Sequence, residues 1–369
     1  MILPQVQFTF GGADIEGVTE HLISLTVEES AYGGMIFALQ FAVGSLDKLN
    51  KIIGSKDHSG FLKYGFSEGG QNVQWSEENL IRCNMLRTSL DNPAAFVVNI
   101  RGTCSGYYDL MARRWKAYRN KTVSDIVKEI ATISYLGTNV TDTSEKLTFY
   151  QAGLSDWEFI GRILSLYAGA NNRSDLYFFV ENGSMLNFRL PDLNANPVKT
   201  LAYAKYDAKT LPILASEMSY RELEVARMGG FQTRTLGYNP LTKELLVREM
   251  GDKDTRFPSP PSAPELPTAS GTINNDPQQA AIVALPEPED YRESTVKDYA
   301  RSVWQFDGHA LFRVAVSTHP TVEIPLLSMV NLDVQGVLGG RYIVYGISHH
   351  ITPAAWTTML KLERRSHRK

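Results

Sequence analysis

Large apolar residues alternate with small or polar residues through much of the first 112 positions. In residues 35–43 every second position is large and apolar: Met35, Phe37, Leu39, Phe41 and Val43. Successive side chains of a strand point to opposite faces, so this period of two gives the strand one apolar face. Ile23, Leu25 and Val27 repeat the pattern. A small β-barrel or sandwich formed by residues 1–112 would bury these faces.

Two hairpins are predicted in the same part of the chain. Residues 32–34 (Tyr-Gly-Gly) contain two glycines, which can supply the positive φ angles of a turn between the first two strands. Residues 79–81 and 96–100 have strand-like composition, and residues 91–93 (Asp-Asn-Pro) lie between them as turn formers. We therefore expect a second antiparallel strand pair here.

Beyond Trp115 the apolar period changes from two to the helical value. Thr122, with Asp125 three residues later, predicts the N-terminal cap of one helix. Ser155 and Glu158 have the spacing of a capping box and predict the start of another. The apolar positions at helical spacing are Val123, Ile126, Val127, Ile130 and Ile133 in the first helix, and Trp157, Ile160, Ile163, Leu164 and Tyr167 in the second.

A short hairpin follows the second helix. Residues 177–180 and 185–188 are strand-like, and residues 181–183 (Glu-Asn-Gly) between them are favoured in tight turns. Residues 113–200 are therefore predicted to form a small α/β insert.

The remaining residues predict a second barrel that a proline-rich segment interrupts. Residues 201–250 read as strands, with a turn at 239–240 (Asn-Pro), and residues 291–369 resume the pattern. In this last part we expect a helix and four strands, at 295–303, 310–317, 329–334, 342–349 and 356–363. Residues 251–290 hold eight of the chain's 17 prolines. Such a composition buries too little apolar surface to offset its ordering entropy, so we expect a long loop or an extended arm.

Composition narrows the choice of function. The formal charge is -3 over 369 residues, whereas a nucleic-acid-binding domain is usually strongly basic. Residues 1–5 lack the basic start of a secretory signal, and the most apolar run, residues 35–43, is too short to span a bilayer. We expect a soluble protein made in a cytosol. Cys83 and Cys104 lack CxxC spacing, so they form a poor zinc site. A hairpin turned at residues 91–93 could bring them close together on adjacent strands, but in a reducing compartment we expect free, buried thiols.

Pairs of adjacent acids or histidines suggest catalytic or metal sites, but the geometry of a strand argues against both. Glu28–Glu29 and Glu77–Glu78 resemble a glycosidase pair, yet neighbouring side chains of a strand point to opposite faces. His349–His350 meets the same objection as a metal site. Glu287, Glu289 and Asp290 are expected to be solvated rather than bound to calcium, and Ser155 to be a helix cap rather than a nucleophile. We therefore predict no catalytic, cofactor-binding or metal-binding residues.

One segment leaves a nucleic-acid interpretation open. Residues 107–121 mix Tyr107, Tyr108, Trp115 and Tyr118 with five cations, a combination that can stack on and neutralise a single strand. The favoured interpretation is a connector whose aromatic residues are packed and whose cations are solvated.

Three motifs resemble a known family, the phage late control protein D group of baseplate hub proteins from contractile-tailed phages. That group is related to the N-terminal part of type VI secretion spike proteins. The matching residues are Arg114–Trp115 before residues 122–131, then Gln151 before Ser155, Asp156, Phe159, Ile160, Arg162 and Ile163, and finally residues 340–349 and 357–364. Leu154 departs from the pattern, since the family often has an acid there.

The resemblance implies a β-rich α+β fold, with two tail-tube-like antiparallel β-barrel domains that bracket the small α/β insert. It implies a structural hub without enzymatic activity, a homotrimer that joins the sixfold tail tube to the threefold central spike around the channel. The implied location is the virion baseplate, with assembly in the host cytoplasm and no membrane insertion.

The implied partners are further copies of the chain, the spike, the tail tube or its initiator, the tape-measure protein and neighbouring baseplate proteins. DNA would pass through the channel without specific binding. The alternative is a tail protein that degrades cell walls or binds peptidoglycan.

Overall fold

The computed structural model describes residues 2–364 except 12, 16–17, 55–57, 70–71, 93–94, 170–175, 204, 206, 221–231, 252–279, 284, 309–311 and 335–338. The strands are β1 (Ile2–Phe10), β2 (Ala13–Asp14), β3 (Leu22–Ser30), β4 (Ile36–Val43), β5 (Ser59–Glu68), β6 (Gln74–Trp75), β7 (Asn79–Asn92), β8 (Ala95–Cys104), β9 (Arg113–Thr122), β10 (Gly137–Val140), β11 (Lys146–Ser155), β12 (Tyr177–Glu181), β13 (Met185–Arg189), β14 (Lys199–Ala202), β15 (Thr210–Tyr220), β16 (Gln232–Asn239), β17 (Glu244–Gly251), β18 (Ala280–Ile282), β19 (Phe312–Thr318), β20 (Met329–Asp333), β21 (Gly340–Thr352) and β22 (Ala355–Arg364). The α-helices are α1 (Leu46–Ile53), α2 (Ser105–Asp109), α3 (Val123–Ile133), α4 (Asp156–Arg162) and α5 (Glu293–Gly308), and Leu164–Tyr167 and Pro288–Asp290 form 3-10 turns.

The first module is an antiparallel sheet in the order β1-β5-β7-β8-β4-β3. The alternation predicted for residues 35–43 is confirmed, because its five large apolar residues are all buried. The face predicted for Ile23, Leu25 and Val27 is wrong at its first residue. A bulge in β3 opposite Phe41 and Gln40 adds one residue, which reverses the alternation there. Leu22 is buried in place of Ile23, which is 38% exposed.

Both predicted hairpins of this module form, but Asp91 and Asn92 belong to β7 and not to the second turn, and residues 93–94 between its strands lie outside the described residues. The turn between β3 and β4 does not use positive φ at Gly33 or Gly34, contrary to expectation. Its five residues are enough to reverse the chain without the strained angles of a two-residue turn. Gly34 is instead needed for close packing, since a Cβ there would lie 2.6 Å from Cβ of Tyr107. In the second hairpin Asn92 pairs with Ala95.

The insert contains the antiparallel ribbon β9–β11 and the sheet β10-β13-β12. α3 buries Val123, Ile126, Val127 and Ile130, as its periodicity predicted. The hairpin between β12 and β13 turns through two residues with positive φ, Asn182 at 51° and Gly183 at 73°. This turn also matches its prediction.

The second module is a closed six-stranded barrel in the order β21-β20-β14-β15-β19-β22, which the pairing of β21 with β22 completes. The prediction of a fully antiparallel barrel is wrong here, because β14 runs parallel to both β15 and β20. The connection from β14 to β15 contains its own reversal, in which Asp207 pairs with Thr210 and its carboxylate accepts hydrogen bonds from the backbone of Lys209 and Thr210. Two successive strands can run parallel only if the connection reverses twice, and this turn is the second reversal, directly before β15.

Residues 232–251 form strands, as predicted, but they lie outside the barrel. β16 pairs with β17 and with β18 in a separate sheet, which packs on α5. Gly237 allows this packing, since a Cβ there would lie 2.7 Å from Cγ2 of Val296. α5 in turn contacts the insert, where the rings of Tyr167 and Tyr299 are 5.0 Å apart.

The described residues include part of the proline-rich segment. Residues 280–290 supply β18 and a 3-10 turn, whereas residues 252–279 lie outside the described residues. Asp290 is only 6% exposed, and its carboxylate accepts a hydrogen bond from the backbone N–H of Thr148 at 2.7 Å. The expectation that Asp290 is solvated is therefore wrong, because its carboxylate satisfies a buried donor of β11.

Candidate functional site

The motif residues around the β9–β11 ribbon meet in one buried cluster. The carboxylate of Asp156 is fully buried and accepts hydrogen bonds from Nε of Arg114 at 2.7 Å and from Nε2 of Gln151 at 2.8 Å. Nε2 of Gln151 also donates to the carbonyl of Leu154 at 3.0 Å, and the hydroxyl of Tyr118 donates to Oε1 of Gln151 at 3.4 Å. These contacts fix the start of α4 on the ribbon. The spacing of these motif residues is thus explained by the hydrogen bonds that hold the start of α4 on the β9–β11 ribbon.

The four cap residues lie at the starts of α3 and α4. Oγ of Ser155 accepts a hydrogen bond from N of Glu158, and Oε2 of Glu158 accepts one from N of Ser155, both at 3.1 Å. The Ser155 hydrogen bonds lower the pKa of Glu158. At α3 the hydroxyl of Thr122 accepts from N of Asp125 at 3.1 Å, so Asp125 contributes its backbone N–H to the cap. These hydrogen bonds give Ser155 the contacts of an N-terminal helix cap.

The Ser155→Ala substitution is expected to lower the free energy of unfolding by about 1 kcal/mol. The backbone N–H of Glu158 loses its acceptor, and the backbone N–H of residue 155 is no longer held in a capping box. Urea denaturation followed by circular dichroism measures the loss. Thr132→Ala is the control, since its exposed hydroxyl only donates to the carbonyl of Lys128 within α3. Equal midpoints for the Ser155 variant and the native chain would show that the box adds no stability.

A cavity of about 270 Å³, here called the junction cavity, lies where the first module, the insert and the barrel meet. Glu29 of β3, Tyr64 of β5, Glu77, Glu181 of β12 and His349 of β21 all line it. The strand argument is confirmed for Glu28 and Glu29, because Glu28 points elsewhere and lies 3.8 Å from Nζ of Lys361. One acid from each sequence pair nevertheless reaches this cavity, together with Glu181. This convergence was missed, since it depends on tertiary contacts between distant strands.

Burial and mutual repulsion set the charge of the acids in the junction cavity. Burial raises the pKa of Glu29, and the nearby Glu181 and Glu77 raise it further. The hydroxyl of Tyr64 donates to Oε1 of Glu29 at 3.2 Å, which opposes that rise. Oε2 of Glu181 accepts a hydrogen bond from Nδ2 of Asn187 at 3.1 Å. Oε2 of Glu77 accepts one from Nδ2 of Asn182, so each of the three acids has a neutral donor.

His349 and His350 face opposite sides of β21, as the strand period predicted. His349 is 4% exposed, and Nε1 of Trp356 donates to its Nδ1 at 3.4 Å. Burial lowers the pKa of His349 to about 3, so its ring is neutral at physiological pH. His350 is exposed and contacts Thr26. Within the described part of the chain, no group of three or more His, Cys, Asp or Glu side chains is placed to hold a metal ion.

Residues 107–121 do not form a shared aromatic and basic platform. Tyr118 is buried, and Tyr107 packs against Trp157 with ring centroids 4.7 Å apart. Lys116 and Lys121 both pair with Glu129. Trp115 instead points outward and is 84% exposed. The single-strand interpretation thereby loses the stacked series of aromatic residues on which it depends.

No protein-family model and no curated protein sequence matches the chain. Solved structures do match it. A tail protein from Neisseria meningitidis MC58 is 12% identical with a TM-score of 0.66, and the match covers 98% of this chain and 96% of that one. The 43 kDa tail protein of prophage MuSo2 from Shewanella oneidensis is 9% identical with a TM-score of 0.64, and the match covers 98% of both chains.

A third structural match comes from a secretion system. The E. coli c3393 protein is described as a component of the type VI secretion system with structural similarity to the T4 tail proteins gp27 and gp5. It is 10% identical with a TM-score of 0.53, and the match covers 95% of this chain and 76% of that one. The chain therefore has the β-rich fold of phage tail proteins, as its motifs predicted. No helix in the described ranges is long and apolar enough to cross a membrane.

Proposed function

We propose that this chain is a structural baseplate hub, a homotrimer that joins the sixfold tail tube to the threefold central spike of a contractile tail. It acts by binding and symmetry adaptation, without turnover of a substrate. Its partners are the spike and the tube or its initiator, with the tape-measure protein and other baseplate proteins as further neighbours. It acts in the virion after assembly in the host cytoplasm.

The observation that carries the proposal is the pairing of β3 with β21. These strands run antiparallel from Leu25 opposite Ile351 to Ser30 opposite Gly346, so the sheets of the two modules are continuous. Each copy therefore presents two six-stranded β modules side by side. Three copies around an axis supply six such modules, which matches a sixfold tube on one side and a threefold spike on the other. A closed ring of this kind needs only heterologous contacts that repeat.

The outer face of the joined sheet is suited to a channel wall. Near the β3–β21 pairing it carries neutral side chains at Ser24, Thr26, Ala38, Gln40 and Ser348. The charged or titratable residues on the same face are Glu28, His350, Arg101 and Lys361, of which Glu28 and Lys361 lie 3.8 Å apart. Specific and non-specific DNA affinity both depend on cations that neutralise phosphates. A cation that is paired with an acid, as Lys361 is with Glu28, would hold a passing phosphate less strongly than a free cation.

Multi-angle light scattering after gel filtration tests the oligomer. We expect a mass of three times the 41.2 kDa of one chain, and threefold symmetry in negative-stain class averages. The mass is followed over a dilution series, because a ring held by modest interfaces dissociates at low concentration. A monomeric mass at micromolar concentration in the presence of spike and tube proteins would exclude the hub role.

The junction cavity favours the alternative of a cell-wall-degrading tail protein, because glycoside hydrolysis uses paired carboxyl groups across a cleft. A zymogram on purified cell walls separates the two functions. The hub proposal expects no lytic band. A band that disappears in the Glu29→Gln and Glu77→Gln variants would assign catalysis to this cavity.

A further inference from the structure

The hairpin β12–β13 of the insert is tied to the first module beside the junction cavity. Nδ2 of Asn182 donates to Oε2 of Glu77, and the backbone N–H of Leu80 donates to the carbonyl of Asn182 at 3.1 Å. The N–H of Gly106 donates to the carbonyl of Gly183 at 2.8 Å. The position of the hairpin therefore depends on groups at the rim of the cavity.

Negative charge is concentrated along the lining of this cavity. Glu29, Glu77, Glu181 and Glu323 line it, and none of the described lining residues is Lys or Arg. Among the described residues, Glu323 is the one member of this group with an ion-pair partner, which is Lys199 at 2.8 Å. The other titratable groups close to Glu29 are Tyr64, the neutral His349 and the buried thiol of Cys104. Glu29 and Glu181 are half-buried whereas Glu77 and Glu323 are exposed, so salt screens the charges of the first two less.

We propose that Glu29 is a pH-sensitive switch at this junction, which holds the β12–β13 hairpin on the first module when protonated and loosens it when ionised. Protonated Glu29 removes one of three neighbouring negative charges and keeps its contact with Tyr64. Ionised Glu29 repels Glu77 and Glu181 across the cavity, and opening the junction relieves this repulsion by admitting water and counterions.

The direction of the pH dependence follows from the linkage between proton binding and opening. The pKa of Glu29 is raised while the junction is closed and returns toward its usual value when water enters. The closed state thus binds the proton more tightly. Closure is fully favoured below the usual glutamate pKa and weakens as pH rises through the raised pKa of the closed state. A single proton changes the opening equilibrium by at most about tenfold per pH unit in this window.

Hydrogen exchange measured by mass spectrometry on the full chain, from about pH 5 to about pH 9, tests the switch. Rates are divided by the intrinsic exchange rate at each pH, since that rate itself rises with pH. In peptides covering residues 177–182 and 321–326, protection is expected to fall with rising pH, with a slope that approaches tenfold per unit. In the Glu29→Gln variant, protection should stay constant. Glu28→Gln is the matched control, because Glu28 is the next residue of β3 but pairs with Lys361, and it should behave as the native chain.

Tyr64→Phe separates the switch from a simple loss of packing. The Tyr64 hydrogen bond lowers the pKa of Glu29 in the closed state, so its removal should extend the fall in protection to higher pH without changing the pH at which the fall begins. The same pH dependence in the native chain and in Glu29→Gln would overturn the proposal. So would a fall in protection that is uniform over all peptides, because that result indicates global unfolding. Both outcomes are independent of the oligomeric state, and so of the hub role.

Discussion

The Gly183→Ala substitution is expected to destabilise the chain by about 3 kcal/mol, measured by chemical denaturation. Gly183 has a φ of 73°, which costs a residue with a Cβ about 1–2 kcal/mol. The added Cβ would also overlap the backbone carbonyl of Leu80 and lie 2.8 Å from its Cβ, and such overpacking costs about 1–3 kcal/mol. The hairpin can escape the overlap only by leaving the first module.

Gly69→Ala is the matched control for this substitution. Gly69 has a similar φ of 61°, but a Cβ at that position would meet no atom within 4 Å. The control should therefore lose only the backbone contribution, about 1–2 kcal/mol. Equal losses at the two positions would mean that the contact with Leu80 contributes nothing to the docking of the hairpin.

The Asp156→Ala substitution is expected to cost about 3 kcal/mol. It removes the acceptor for Nε of Arg114 and for Nε2 of Gln151, and the buried amide of Gln151 then lacks one of its partners. Leaving a buried donor unsatisfied costs about 1–3 kcal/mol, and the lost charge-assisted bond adds to that. Asp125→Ala is the control, since Asp125 is exposed in the first turn of α3 and should cost less than about 1 kcal/mol. Thermal and urea denaturation of both variants give the comparison, and similar losses would contradict a special role for the buried cluster.

Local features of this fold could be predicted because short-range physics decides them. The cap at Ser155 and the turn at Asn182 and Gly183 each depend on residues within four positions of one another. The bulge in β3 could not be predicted in this way. Leu22 and Ile23 are both apolar, so the sequence pattern is compatible with either residue facing the core, and pairing with β4 makes the choice.

The sequence pattern predicts strands but not their partners, and tertiary contacts decide which strands pair. β16 and β17 have the strand character that residues 201–250 predicted, yet β16 pairs with β18, which lies within the proline-rich segment 251–290. No local signal distinguishes that partner from a strand of the barrel. The junction cavity is a similar case, since Glu29, Glu77 and Glu181 come from separate elements that meet only in the folded chain. From the sequence, the surroundings of each acid are inferred from its neighbours along the chain. In the folded chain its protonation depends on the groups that are close to it in space.

Cys83 and Cys104 give this chain a practical advantage for labelling. Both are free and buried, and burial raises their thiol pKa values to about 12 and about 11. Reaction with a maleimide requires the thiolate, which is scarce at neutral pH for such groups. Because these are the only two cysteines, one introduced at the exposed position of Trp115 would take up a fluorophore or spin label selectively. Distances between copies in an assembled particle then become measurable without first removing a native cysteine.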